Sequence, residues 1–332
     1  MGRFLEQQKL DQAKFKMSSP FLSDAARRDG VYAKKSRAFC LPQDEAAQNL
    51  FPGIREEAIR FFARLGIKWH DSPGGDLPSN HLCDSQVCCV NFLFPFTSRP
   101  EALKHLLKAV RPTVSAVLPI EPTGEFLTFE WIGMENYLRE RMRPRAKRTR
   151  GANFTSADAA ALIEHKDGTR EIVLIEWKYT ESYSSTALSL SSRGTDRTEI
   201  YSHLWVRNDF PLRKELLPEF SSLFYEPFYQ LLRLQCLAHE MERANELGAE
   251  RVSLLHICPA TNRDFQRVTS PALVGIGSSV SEVWERLVRD QTRFDSAATE
   301  NLFGRFPAQQ FSDLEAWWAY LTSRYKWVLQ DG

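Results

Sequence analysis

The sequence lacks a strong excess of charge of either sign. Its 332 residues include 43 Lys and Arg against 42 Asp and Glu, a formal net charge of +1. Overall electrostatics therefore identify no partner, and any nucleic-acid surface must be a local patch. The sequence also lacks an internal repeat, a low-complexity segment and an apolar run long enough to span a membrane. With 43% hydrophobic residues, the chain can bury a large core.

Cysteine is scarce, with six in the whole chain, and the first residues are too charged for the apolar region of a signal peptide. These features predict reduced thiols in a soluble cytoplasmic protein, without a membrane partner. Cys83, Cys88 and Cys89 lie close together in the sequence with His81 nearby, so a zinc site is one interpretation of this cluster. No second Cys or His pair follows at zinc-site spacing, so core thiols are favoured.

Charged residues interrupt two apolar runs in the middle of the chain. Asp158 lies within 155–163, and Glu176 and Lys178 lie at the end of 171–179. Burying a carboxylate costs several kcal/mol unless it is paired, hydrogen-bonded or bound to a metal. A catalytic site that binds a cation would explain these charges.

Both runs have the length of a strand, and the Asp-Gly pair between them is a strong hairpin signal. A two-residue turn would place Asp158 opposite Trp177, on the other face from Glu176. A three-residue loop, 166–168 with its glycine left-handed, would instead place Asp158 opposite Glu176. Their Cβ atoms would then be about 4.5–5.5 Å apart, close enough to share one divalent ion. The functional interpretation requires this second loop.

An Asp, a hairpin and then Glu-x-Lys at the end of a hydrophobic strand resemble the PD-(D/E)XK nuclease superfamily. The run from Arg150 to Asp158, continued by 176–181, is similar to a restriction-endonuclease-like bacterial branch. Ala157 stands where the superfamily motif has proline. The resemblance covers the middle of the chain, and the motif itself is short.

The fold implied by the resemblance is a restriction-endonuclease-like three-layer α/β/α core with a mixed sheet, elaborated by N- and C-terminal helices. The order of predicted elements, a hairpin, a long helix and a strand, agrees with such a core. We expect residues 1–120 to form a helical and strand extension and 121–332 the nuclease core, with one continuous domain as the alternative.

The resemblance implies a Mg²⁺-dependent phosphodiesterase, a DNA endonuclease serving restriction, defence or repair. Asp158, Glu176 and Lys178 are the expected catalytic residues. Asp158, Glu176 and the main-chain carbonyl of Trp177 are the expected metal ligands, with Mn²⁺ expected to substitute. Lys178 has two open roles, as a base or as an electrostatic stabiliser. Enzymes of this fold often dimerise, so a homodimer is a further candidate.

Five further residues have candidate accessory roles. The resemblance suggests Glu130 as another metal ligand, with Glu135 in reserve. Glu181 is a candidate for orienting Lys178 or holding a second ion. Gln230 and Arg233 lie on a predicted helix that would pack over the sheet and face the phosphate. The alternative for each is an exposed side chain without a role.

A basic segment precedes the Asp158 run. It contains seven cations in twelve residues, with one opposing acid: Arg139, Arg141, Arg143, Arg145, Lys147, Arg148 and Arg150. Such a patch suits sequence-independent contact with a phosphate backbone, and the binding would weaken steeply with salt.

The pattern of apolar residues predicts a buried strand at 86–96, a loop at 180–203, a helix at 226–247, a strand at 251–258, and helices at 280–287 and 314–325. At 125–132 strand and helix are both arguable, and a strand or a strand passing into a helix is favoured. We expect His256 to be a hydrogen-bonded core histidine. Two rivals stay open: a catalytically silent nuclease scaffold that binds nucleic acid or assembles with partners, and a zinc hydrolase built on the cysteines.

Overall fold

The computed structural model describes residues 2–72, 75–140, 147–152, 154–191 and 194–330. Its helices and strands, in chain order, are α1 Arg3–Ser18, β1 Gly30–Tyr32, β2 Lys35–Arg37, α2 Arg55–Leu65, α3 Ser85–Leu93, α4 Pro100–Leu107, β3 Val114–Leu118, β4 Leu127–Trp131, β5 Ala157–His165, β6 Arg170–Trp177, α5 Arg197–Trp205, α6 Phe228–Arg243, β7 Arg251–Cys258, α7 Val280–Leu287, β8 Phe294–Ala298, α8 Thr299–Phe303 and α9 Glu315–Arg324.

Six of the strands form one mixed sheet. Its order is β3-β5-β6-β7-β8, and β4 pairs with β5 beside β3. The pairs that β5 makes are antiparallel, whereas β6, β7 and β8 run parallel to one another. Strands β1 and β2 form a separate small hairpin.

Helices cover both faces of this sheet. The core on one face contains side chains from α1 to α4, α8 and α9. The core on the other face contains side chains from α5, α6 and α7. This arrangement confirms the predicted three-layer α/β/α fold with a mixed sheet and additional N- and C-terminal helices.

The central helix α6 connects β6 to its parallel neighbour β7. Leu231, Leu234 and Leu237 are among the buried residues of its apolar face, while Gln230 and Arg233 are half-buried. The strand prediction for 251–258 is confirmed at both ends. The 226–247 helix is confirmed with a shorter extent.

The prediction of a buried strand at 86–96 is wrong, because this segment forms helix α3. Asp84 caps the helix by accepting a hydrogen bond from the main-chain N–H of Val87 at 2.7 Å. Every residue from Gln86 to Leu93 is buried. A fully buried helix has no polar face, so its hydrophobic pattern does not distinguish it from a buried strand.

Several elements of the structure were not predicted, among them β3, β8 and α5. Strands β3 and β8 are short and lie near opposite edges of the sheet. Helix α5 occupies the end of the segment expected to be a loop. It begins at an Asp196 cap, whose carboxylate accepts from the main-chain N–H of Thr198 at 2.8 Å.

The helix at the beginning of the described chain reaches the strand that carries the candidate site. Tyr179, just after β6, donates its hydroxyl to Gln8 of α1 at 2.8 Å. Gln12 of the same helix donates to Tyr179 at 3.2 Å and accepts from Arg324 at 3.0 Å. The amide side chains of α1 therefore join the C-terminal helix to the end of β6.

The predicted domain boundary at residue 120 lies between β3 and β4. Both strands pair with β5, so segments from the two sides of the boundary share one sheet. The division of the chain into an extension and a core stays a prediction. Among the described residues, no helix is both long and apolar enough to cross a membrane.

The left-handed backbone conformation in the loop of the β5-β6 hairpin can be tested by substitution. Gly168 has a φ of 86°, and a Cβ added there would meet no atom within 4 Å. Strain from a left-handed L-residue is expected to make Gly168→Ala less stable by about 1–2 kcal/mol. Urea unfolding of the variant measures this difference.

Gly275→Ala is the matched control, because a Cβ there also meets open space and φ is not left-handed. It is expected to leave the free energy of unfolding unchanged or to raise it by up to about 1 kcal/mol. Equal effects of the two substitutions would show that φ at Gly168 does not fix the loop.

Candidate active site

The β5-β6 hairpin has the three-residue loop that the functional interpretation requires. The ladder of paired residues ends at Ala159 and Ile175, and one further step in this register would set Asp158 opposite Glu176. Gly168 is left-handed, as the three-residue loop requires. Opposed residues of an antiparallel pair project from the same face, so this register places the side chains of Asp158 and Glu176 on one face of the sheet.

Asp158 is half-buried beside the end of β6. Its Oδ2 accepts a hydrogen bond from the main-chain N–H of Trp177 at 2.7 Å. Burial and the nearby Glu176 carboxylate raise the pKa of Asp158 well above its ordinary value, although the charge of Lys178 opposes them. The site therefore disfavours a second negative charge unless a cation is added.

Glu176 is buried, with 1% of its surface exposed. Burial raises the pKa of Glu176, and the Lys178 ammonium opposes this rise. Oε1 accepts a hydrogen bond from Lys178 Nζ at 2.5 Å. Oε2 is buried and has no hydrogen-bond partner within the described part of the chain. Oε2 thus lacks the hydrogen bond or opposite charge that a buried carboxylate oxygen needs.

Lys178 connects the hairpin to α6. Its Nζ also donates to Gln230 Oε1 at 2.7 Å. Burial disfavours the ammonium form, but the neighbouring acidic side chains, Glu176 foremost and then Glu181 and Asp158, outweigh burial and raise the pKa of Lys178 well above its usual range. Lys178 is therefore a fixed cation between a carboxylate and an amide.

Glu130 of β4 lies on the other side of β5, next to the positions paired with Ala157 and Ala159. Its φ of 49° is left-handed, which is unusual within a strand. Oε1 accepts from Gln86 Nε2 at 2.7 Å, and Oε2 accepts from Ser156 Oγ at 2.7 Å. Both oxygens of this buried carboxylate are thus satisfied by neighbouring side chains.

No three Asp, Glu, His or Cys side chains among the residues that the structure describes are grouped as a ready-made cation site. Glu130 as a metal ligand stays a prediction: its two oxygens have side-chain partners, and its charge contributes to raising the pKa of Asp158 and of Glu176. A cation held by Asp158 and Glu176 would complete its shell with main-chain oxygen, water or substrate phosphate, as Mg²⁺ commonly does.

The two other acidic candidates lie apart from this pair. Glu135 is exposed, and its charge acts on the pKa of Tyr137 and of Arg148. Glu181 accepts the main-chain N–H of Tyr179 at 2.7 Å. Glu181 therefore shapes the turn after β6 and adds negative charge near the lysine, rather than contacting it.

Arg233 lies one helical turn after Gln230 on α6. Its guanidinium lies 4.9 Å from the centre of the Tyr229 ring. Its Nε is buried without a hydrogen-bond partner in the described residues. The charge of Arg233 lowers the pKa of Glu176, which places both groups in one electrostatic environment.

The basic segment is only partly described. Arg139 and Lys147 are exposed. Arg141, Arg143 and Arg145 lie outside the described residues. The two exposed cations are available for contact with a phosphate backbone.

Arg148 and Arg150 have intramolecular partners that the sequence did not reveal. Arg148 donates to the carbonyl oxygens of Ile132 and Met134 at 2.6 and 2.9 Å. Arg150 forms an ion pair with the buried Glu121. These contacts hold the segment that leads into β5, and the assignment of the two arginines to a DNA-binding surface stays a prediction.

The cysteines behave as core residues. All six are buried and unpaired. Burial raises the pKa of Cys83, Cys88 and Cys89, which disfavours the thiolate that a zinc site requires. This confirms the prediction of core thiols.

Two polar residues near the site were not predicted. Gln86 and Ser156 hold Glu130, and a glutamine opening a dense apolar run was the signal for the first of them. The expectation that His256 is a hydrogen-bonded core histidine is confirmed for its burial, with 1% of its surface exposed, and for one ring nitrogen, since Nδ1 lies 3.4 Å from Ser296 Oγ whereas Nε2 has no partner among the described residues. Burial lowers the pKa of His256 to about 3, so the imidazole is neutral.

Asp158→Asn tests the electrostatics of the site in a buffer without divalent cations. A folded-state pKa above the ordinary 3.8 means that folding takes up a proton, so this carboxyl makes the fold less stable as the pH rises. The variant is expected to be more stable than the wild type at about pH 8, with the difference shrinking as the pH falls. Urea unfolding at several pH values measures it.

Asp167→Asn, in the same hairpin, is the control, because the pKa of Asp167 is shifted in the opposite direction from that of Asp158. Hydrogen bonds from Thr169 lower the pKa of Asp167, so its removal is expected to bring no gain at high pH. A loss of stability in Asp158→Asn at about pH 8 would contradict the conclusion that burial and the nearby Glu176 carboxylate raise the pKa of Asp158.

Comparison with known proteins gives one relationship. No curated protein and no solved structure matches the chain. Residues 8–326 match the family model described as restriction endonuclease associating with ARP. Because this match spans nearly the whole chain and the fold agrees with a restriction-endonuclease core, the chain belongs to the family of restriction endonucleases associating with ARP.

Proposed function

We propose that the protein is a Mg²⁺-dependent DNA endonuclease acting in restriction or a related defence or repair process. The observation that carries the proposal is the hairpin register. It sets Asp158 opposite Glu176, and the Glu176 carboxylate contacts Lys178 at the end of a buried strand. Family membership supports nuclease activity, and the arrangement supplies the charges that this chemistry uses.

The donor set fits a hard divalent cation. Asp158, Glu176 and the main-chain carbonyl of Trp177 would hold Mg²⁺, because all three offer oxygen. The unpartnered Oε2 of buried Glu176 supports this assignment, since a cation would supply its missing compensation. When bound, Mg²⁺ supplies Lewis acidity for phosphodiester hydrolysis, and Mn²⁺ is expected to substitute.

Lys178 would act on the substrate as a cation. Without a bound cation, its pKa is raised well above the usual range, so the side chain is an ammonium. Glu176 and Gln230 fix two of its contacts and so orient the nitrogen. As an ammonium, Lys178 would stabilise negative charge that develops on the scissile phosphate. Its role as a base stays open, because a divalent cation on Glu176 would lower the pKa of Lys178.

Arg233 is a candidate for a second phosphate contact. Its side chain shares the α6 face with Gln230, and its Nε–H has no partner among the described residues. A charge-assisted hydrogen bond to phosphate would satisfy this donor. Arg139 and Lys147 would contact the DNA backbone farther from the scissile phosphate.

The family description also supports a partner. We propose that the chain associates with ARP, as its family is described. A homodimer and a cytoplasmic location stay predictions.

The direct test is cleavage of plasmid and linear DNA by the purified protein with Mg²⁺ or with EDTA. The wild type is expected to cut only with Mg²⁺. Lys178→Met and Asp158→Asn are expected to lower the single-turnover rate by at least about 100-fold, because each removes a charge that acts at the phosphate. Lys166→Met and Asp167→Asn, at the exposed tip of the same hairpin, are the matched controls and should cut like the wild type.

Three outcomes would contradict the proposal: no cleavage by the wild type with Mg²⁺, cleavage that persists in EDTA, or equal rates for the site variants and their controls. DNA binding without any turnover would favour the silent-scaffold alternative.

A second prediction separates DNA contacts from structural arginines. Arg139→Ala and Lys147→Ala are each expected to lower the slope of log affinity against log salt by about 0.9, with stability unchanged. Arg150→Ala is expected to lower the free energy of unfolding, because it leaves the buried Glu121 unpaired. Binding titrations at several salt concentrations, together with urea unfolding, distinguish the two classes. An unchanged salt slope in Arg139→Ala would remove that residue from the interface.

A further inference from the structure

His256 occupies the position next to Glu176 in the sheet. Strands β6 and β7 are parallel, and their register pairs Glu176 with His256. Register partners on neighbouring strands project from the same face. Both side chains are 1% exposed, so the imidazole and the carboxylate share one buried environment.

A chain of side chains on β8 and α7 contacts the other nitrogen of this imidazole. Ser281 Oγ lies 3.4 Å from Gln266 Oε1 and 2.8 Å from Ser296 Oγ, and Ser296 Oγ lies 3.4 Å from His256 Nδ1. One proton order satisfies all three contacts: Ser281 donates to Gln266, Ser296 donates to Ser281, and Nδ1 donates to Ser296. In that order Nε2 has no proton and presents a lone pair.

The Nε2 lone pair has no partner. Nε2 is buried and makes no hydrogen bond to any described residue. Phe265 stacks on the ring at 5.1 Å and fixes its plane. A buried acceptor without a partner is costly, so its presence beside the equally unpartnered Glu176 Oε2 requires an explanation.

We propose that His256 is a positioning residue of the cation site, whose Nε2 accepts a hydrogen bond from water in the hydration shell of the divalent ion. The proposal rests on the proposed function, in which Asp158 and Glu176 hold that ion. Mg²⁺ keeps several of its waters when it binds to protein, and those waters need acceptors. Water is the intermediary because no three metal-binding side chains are grouped among the described residues.

Two substitutions of His256 distinguish the roles of its two ring nitrogens. In His256→Asn the short amide replaces Nδ1 and its contact with Ser296, and nothing remains at the place of Nε2. In His256→Gln the longer amide can present its oxygen where Nε2 was. The first variant therefore loses the acceptor and the second retains one. Ser296→Ala removes the hydrogen-bond partner of Nδ1 and leaves the imidazole in place.

Mn²⁺ binding to the full chain, followed by calorimetry and by the electron paramagnetic resonance of the free ion, is the readout. His256→Asn is expected to bind Mn²⁺ about 10–100-fold more weakly than the wild type, the usual cost of losing an outer-shell partner. His256→Gln is expected to bind close to the wild type, and Ser296→Ala to be intermediate. His239→Asn, on α6 away from the sheet pair, is the control and should bind like the wild type.

Thermal unfolding of each variant without metal shows that the fold is retained. If His256→Asn does not fold, the intermediate affinity of Ser296→Ala is the deciding result. Wild-type affinity in His256→Asn or in Ser296→Ala, alongside normal binding and cleavage by the wild type, would overturn the inference and leave the proposed function standing. A wild type that binds no Mn²⁺ and cuts no DNA would overturn both.

Discussion

The burial of Glu176 against Lys178 is the interaction on which the site depends. Burial and then the neighbouring Glu176 carboxylate raise the pKa of Asp158, and the single ammonium of Lys178 does not offset them. A buried ion pair is weak evidence for stability, since apolar residues of similar volume often serve a fold as well or better. Perturbed charges of this kind are typical of functional sites, and here they leave an excess of negative charge that suits a cation.

The rest of the structure keeps this cluster in place. The left-handed Gly168 fixes the register of β5 against β6. On one side of the sheet, Gln230 of α6 holds the lysine. On the other, the amides of α1 hold Tyr179, the residue after Lys178. A site mounted on strands and supported from both faces is positioned more precisely than one on loops.

The hairpin and its two strands were predictable because their signals are local. An Asp-Gly turn, an alternating strand and a fixed residue count decide which side chains share a face. Helix α3 was not predictable, since a segment buried on all sides loses the polar face that marks a helix. Strands β3 and β8 are short and have little pattern of their own, and their place depends on the neighbours they pair with.

The roles of single side chains were harder to predict because they depend on distant partners. The left-handed backbone of Glu130 and its contacts with Gln86 and Ser156 join three separate segments. Arg150 looked like part of a basic surface, but Glu121, which precedes β4, pairs with it. The sequence shows that such residues are charged, but it does not show which distant side chains they contact.

The central claim is that the hairpin carboxylates hold the divalent ion. It is tested most directly by loading the protein with Fe²⁺ and adding ascorbate and peroxide, so that radicals generated at the ion cut the nearby backbone. The account predicts cuts at the start of β5 and the end of β6, which Mg²⁺ suppresses and which Asp158→Asn lacks. Cuts confined to other segments, such as the cysteines of α3, or unchanged cuts in Asp158→Asn, would contradict it.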